Sequence, residues 1–233
     1  MMVTRALCVM TVLIIITIAA RLFSQREEGA YMFDINAFSY NVLIYDANEH
    51  KGPADNAWRF WAKINALRAN KKIDLIVPIY SWGDGHKVIK AMANYEKMHK
   101  NVKYPAVIQY WGHGAPGKVT CGSDDNAVKL LDELYPYVDA ATVFWFRTCE
   151  TFQGKKGKDF ARLASSRLHC FVAGYTYKIW LWQSGLHVVA GARLDGYPMT
   201  DWDDSEGAGK WSAPWIKNTN LAATVDFPHK VLF

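Results

Sequence analysis

Cysteine is scarce in this chain, with four in 233 residues, and no two of them form a Cys-x-x-Cys. No His or Cys stands at zinc-ligand spacing, so a structural zinc site is not expected. Cys8 falls inside an N-terminal apolar segment, which leaves Cys121, Cys149 and Cys170 for the rest of the chain. In an oxidising compartment an odd thiol is either buried and inert or held back for chemistry. There is no Asn-x-Ser/Thr sequon and no internal repeat, and charge of neither sign dominates. The formal net charge is only +5, and two of those charges, Arg5 and Arg21, flank the N-terminal segment. Phosphate binding needs Lys and Arg clustered on one face, and the nearest clusters, Lys71-Lys72 and Lys155-Lys156-Gly157-Lys158, read as solvated loops. Nucleic acid is therefore not an expected partner.

Apolar residues are plentiful at 51%, which excludes wholesale disorder and gives enough material for one compact core. The run Ala6 to Ala20 has a short basic start, an apolar middle and a small-residue exit, the pattern of a secretory signal. It falls short of the roughly 20 residues of a comfortable membrane span, while a stretch over residues 6–23 would serve as an uncleaved anchor. Residues 1–24 are accordingly read as signal peptide or signal-anchor, 25–39 as linker, 40–193 as the folded domain and 194–233 as an irregular flank rich in Trp and Asp. Either form of the leader implies an extracytoplasmic protein, secreted or periplasmic, or else membrane-anchored through that segment alone.

Short apolar runs alternate with amphipathic stretches, the pattern of an α/β fold around a mainly parallel sheet. Strands are predicted at Val42–Asp46, Ile73–Tyr80, Ala106–Trp111, Ala141–Phe146, His169–Ala173 and Leu186–Ala192. Between them the periodicity predicts a helix after Asp55 carrying Trp58, Trp61, Ile64 and Leu67, and another over His86–Met98. A third helix, capped by Asp124 or Asp125, carries Val128, Leu131 and Leu134, and a fourth spans about Lys158–Ser166. Ligands of open parallel sheets bind outside the carboxyl ends of the strands, so the residues after the third and fourth strands are the best placed for chemistry. Those residues are His113-Gly114 and Thr148-Cys149. A thiolate is a nucleophile, a neighbouring imidazole lowers its pKa and passes a proton to a leaving group, and a glycine N–H can approach an oxyanion.

The stretches VIQYWGHGAPG and VFWFRTCETFQGKKGKDFARLAS resemble the two halves of the caspase-like (clan CD) cysteine peptidase pattern, in which one apolar strand ends in His-Gly and the next ends in Cys. Cys149-Glu150-Thr151 with Gly154, Gly157 and Ala161-Arg162 is especially similar to CHAT-type sequences, and HGAPG followed by Gly122 is similar to His-Gly and Cys modules of bacterial surface proteins. The resemblance implies a three-layer sandwich of caspase-like topology. It also implies Cys149 as nucleophile, His113 as acid–base residue, and the backbone N–H groups of Gly114 and Cys149 as oxyanion hole. Arg147 and Glu150, on either side of the Thr148-Cys149 pair, are taken as substrate-binding, the substrate being a peptide or protein and no cofactor being needed. Thr148 and Arg147 stand where many active members carry smaller or acidic residues. The alternative within the same fold is a catalytically silent module that binds protein or glycan outside the cytoplasm.

Other motifs carry less. Gly112, Gly114 and Gly117 spell G-x-G-x-x-G but open no helix, and Ser184 lacks the glycine of a nucleophile elbow. Asp201, Asp203 and Asp204 with Glu206 make an acidic knot that reads as a solvated turn, with Ca²⁺ as the alternative. Trp180, Trp182, Trp202, Trp211 and Trp215 read as core or interface material, with sugar or peptide stacking as the alternative. Cys121 and Cys170 are expected to pair as a disulfide, leaving Cys149 free.

Overall fold

A computed structural model describes residues 39–48, 73–100, 102–179, 183–190, 202–213 and 215–216. In chain order its elements are β1 (Ser39–Asp46), β2 (Leu75–Ile79), α1 (Gly85–Met98), β3 (Tyr104–Trp111), β4 (His113–Ala115) and β5 (Lys118–Thr120). They continue with α2 (Val128–Leu134), β6 (Val143–Arg147), α3 (Gly154–Leu168), β7 (Phe171–Tyr175) and β8 (Leu186–Val189). Six strands form one sheet in the order β2-β1-β3-β6-β7-β8, parallel throughout except for β8, which runs antiparallel to β7. The fold is thus mixed α/β with a mainly parallel sheet, as the alternation of the sequence predicts.

The central apolar runs became strands because both faces of the sheet are covered there, so Val, Ile and Phe are welcome at successive positions, whereas edge strand β2 leaves Ile76 exposed on one face. Phe144 and Phe146 of β6 join Ile44, Ile108 and Val172 in one core with Val88 and Met92 of α1, Leu131 and Leu134 of α2, and Phe160 and Ala164 of α3. All three helices among the described residues therefore pack on one face. Leu43 and Trp111 form a separate cluster on the opposite face. Residues alternate along a strand, so Trp145 and Arg147 share that second face. The helix expected to carry Trp58, Trp61, Ile64 and Leu67 lies outside the described residues, as do the leader and residues 191–201. Among the described residues no helix is long and apolar enough to cross a membrane.

Two local expectations are corrected, the loop after β3 and the cap of α2. The glycine-rich loop after β3 is an antiparallel hairpin, β4 with β5, closed by Pro116-Gly117 with Gly117 at φ 72. Helix α2 has Ala127 at its N-cap and no side-chain cap. Asp124 instead accepts the N–H groups of Trp82 at 3.1 Å and Asn126 at 3.0 Å, and Asp125 pairs with Lys118 at 2.6 Å. The flank over 202–213 has no regular element, yet Trp202 is buried and fastens the segment to the domain.

Candidate active site

The register of two neighbouring strands builds this site. β3 and β6 lie side by side in parallel, and their last paired residues are Trp111 and Arg147. His113 and Cys149 each stand two residues beyond that pair, at the same edge of the sheet. Gly112 makes the step from β3 into the hairpin possible, because a Cβ there would meet the Tyr110 hydroxyl oxygen at 2.5 Å. The hairpin then lies against the Cys149 turn. A Cβ on Gly114 would come within 2.4 Å of Thr151 Oγ1 and 2.6 Å of the Cys149 carbonyl oxygen, and Gly117 N–H donates to the Thr151 carbonyl at 3.0 Å. A two-residue turn makes Ala115 and Lys118 the closing hydrogen-bonded pair, so ladder alternation points the Gly114 N–H away from β5.

The Cys149 turn is held from below. Thr148 and Thr151 are fully buried and their hydroxyls hydrogen-bond to each other. Glu150 takes a left-handed conformation at φ 51, rare for a residue with a Cβ, and is held in it by its own N–H donating to the Tyr177 carbonyl at 3.0 Å. Phe152 N–H donates to the Tyr175 carbonyl at 2.9 Å, and the chain then enters α3 at Gly154. The N–H of Cys149 itself has no backbone partner among the described residues.

The Cys149 side chain is partly exposed, and its Sγ lies 3.6 Å from the Ile179 carbonyl oxygen. Its pKa is raised. Burial is the main cause and the Glu150 charge adds to it, while the Ile179 backbone and the Lys178 charge pull the other way. The net direction favours the thiol over the thiolate. His113, at the start of β4, is half-buried.

Arg147 and Glu150, the two residues expected to bind substrate, are both tied into the fold. The Arg147 guanidinium carbon lies 4.3 Å from the centroids of both the Trp111 and the Trp145 rings. It donates through Nη1 to Gln109 Oε1 at 3.2 Å and through Nη2 to Gln183 Oε1. Burial lowers its pKa, and among the described residues no carboxylate pairs with it, so the aromatic faces and amide oxygens stabilise its charge. Glu150 is 9% exposed and turns inward. Its Oε1 accepts Gly209 N–H at 2.8 Å, and its Oε2 lies 3.9 Å from Lys178 Nζ, which makes it a tie within the fold.

The remaining expectations separate in space. Cys121 and Cys170 are both free and buried, not a disulfide. Cys121 Sγ lies 3.7 Å from the Ile79 carbonyl at the carboxyl end of β2, whereas Cys170 precedes β7 at its amino end, with β1, β3 and β6 between those strands. Burial pushes the Cys121 thiol up to about 12, with the Asp46 charge adding to the effect, and burial raises Cys170 also. The acidic knot does not converge. Asp203 accepts the N–H and hydroxyl of Ser205, both at 2.7 Å, Asp204 pairs with Lys158 at 3.0 Å, and Asp201 lies outside the described residues. Among the described residues no group of three or more His, Cys, Asp or Glu is placed to hold a metal ion. One pair went unnoticed in the sequence: His187, 1% exposed, lies with Nε2 2.8 Å from Glu206 Oε1, a contact between residues with no shared motif.

Compared with known proteins, the chain matches no family model, no curated protein and no solved structure.

Proposed function

We propose that the protein is an extracytoplasmic cysteine endopeptidase in which Cys149 is the nucleophile and His113 the acid–base residue. The observation that carries this reading is the Trp111–Arg147 register, which supports bringing a His-Gly and a Thr-Cys together from adjacent parallel strands. The same arrangement supports extending the α/β fold to a caspase-like topology. In the reaction His113 takes the Cys149 proton as sulfur attacks the scissile carbonyl carbon. The carbon–nitrogen bond then breaks and His113 returns that proton to the departing amine. Water hydrolyses the remaining thioester and regenerates the thiol. The Gly114 N–H, turned out of the hairpin, and the Cys149 N–H, without a backbone partner among the described residues, are suited to the developing oxyanion, where loss of one such donor costs about 10² to 10³ in rate. The apolar leader over residues 6–23 supports a location outside the cytoplasm, with a peptide or protein as substrate.

A second reading, a catalytically silent binding module of the same fold, is favoured by the raised pKa of Cys149. Cleavage of a diverse peptide library distinguishes the two. Wild type cleaves and Cys149→Ala does not, while Cys149→Ser is nearly as inactive, because a serine hydroxyl is far less acidic than a thiol. Equal silence of wild type and Cys149→Ala under reducing conditions sinks the peptidase reading.

A further inference from the structure

We propose that the segment 202–212 is a latch that keeps the Cys149 thiol in its resting form, with Glu206 as the positioning residue that fastens it. This inference rests on Cys149 being the reactive group of the proposed function. Trp202 anchors one end. Its indole stacks on Phe152 with centroids 5.7 Å apart and on His187 at 4.5 Å, and its Nε1–H donates to the Phe152 carbonyl at 2.8 Å. Gln153 Nε2 donates to the Asp204 carbonyl at 2.8 Å. Phe152 and Gln153 are the residues that carry the Cys149 turn into α3, so the segment grips that turn from behind.

Glu206 secures the middle. Its Oε1 accepts the Thr176 hydroxyl at 2.8 Å and faces His187 Nε2 at the same distance. Gly207, at φ 74, allows the close approach, since a Cβ there would meet the Thr176 carbonyl oxygen at 2.2 Å. Two consequences reach the thiol. Gly209 N–H holds the Glu150 carboxylate, the residue next to Cys149 in sequence, at 2.8 Å. Lys178 is pinned between the Lys210 carbonyl at 3.0 Å and the Ser212 N–H at 2.8 Å, which fixes its neighbour Ile179 against Cys149 Sγ. The segment thus holds in place the Glu150 charge, which favours the protonated thiol, and the Lys178–Ile179 stretch, which encloses the sulfur while its backbone and its charge pull the other way; burial is the largest of these effects and sets the direction.

Removing the Glu206 carboxylate takes away the acceptor facing the buried His187 Nε2, leaves the Thr176 hydroxyl only the longer bond to the Gly185 carbonyl at 3.2 Å, and frees the segment. The test is alkylation of the full chain by iodoacetamide at neutral pH, with peptide mapping of all three thiols; sulfur displaces iodide and its proton goes to buffer. In Glu206→Ala, Cys149 reacts about tenfold faster than in wild type, the effect of lowering its pKa by about one unit. Cys121 and Cys170 stay protected. Thr176→Val, which conserves shape, shifts Cys149 in the same direction by less, and Glu206→Gln, which keeps an acceptor oxygen, stays close to wild type. An unchanged Cys149 rate in both Glu206→Ala and Thr176→Val overturns the latch, as does a joint rise of all three thiols, which marks general unfolding. Failure of the peptidase reading shows separately, as absence of peptide cleavage by wild type, and leaves this comparison of thiols intact.

Discussion

Gly114 and Cys149 touch backbone to backbone: a Cβ at position 114 would stand 2.6 Å from the Cys149 carbonyl oxygen. The hairpin carrying His113 and the turn carrying the thiol are therefore positioned by each other, and only a residue without a side chain permits that spacing. Gly114→Ala forces them apart. We expect a loss of stability of about 1–3 kcal/mol, the range for overpacking a filled site, read from denaturant unfolding. Any peptide cleavage should fall with it. A variant as stable and as active as wild type would show that the contact does not position the site.

The buried thiols make a prediction for alkaline stability. Cys121 rises from an ordinary value of 9.0 to about 12 in the fold, with Cys149 and Cys170 raised as well. Above pH 9.0 the unfolded chain releases thiol protons that the folded chain retains. The stability these groups contribute is complete below that pH and is lost as pH rises toward about 12. Cys121→Ala should flatten this alkaline fall, measured as the unfolding free energy across that range. A slope identical to wild type would contradict the assignment of Cys121 as a buried protonated thiol.

Arg147 supports the sheet edge through planar stacking, with its guanidinium 4.3 Å from two tryptophan centroids. Lysine keeps the charge but loses the plane and the fork to Gln109 and Gln183. Arg147→Lys should cost about 1 kcal/mol in thermal or chemical unfolding. If Arg147→Lys is neutral, the rings are mere neighbours of the charge.

How much of this was legible in the sequence differs by element. The strand of β6 was, because VFWF is apolar on both faces and only a covered sheet accepts that run. The hairpin was not, since three-residue strands interrupted by Gly and Pro leave no period to read. His113 and Cys149 could be named from their places after strands. Their environment could not: the Glu150 tie depends on Gly209, 59 positions away, and Trp202 reaches Phe152 across 50. Asp203, Asp204 and Glu206 look alike in a polar stretch, yet Glu206 alone among them faces a buried partner, His187. The Cys121–Cys170 disulfide failed for a related reason, as strand order decides which ends meet and composition carries no strand order.

The pH dependence of Cys149 alkylation, compared between wild type and His113→Ala, tests the central claim most directly. If His113 takes the thiol proton, the substitution slows Cys149 by about tenfold or more near pH 7 and leaves its rate unchanged once pH exceeds the raised thiol pKa. Superimposable profiles for the two proteins across the whole pH range would contradict the dyad.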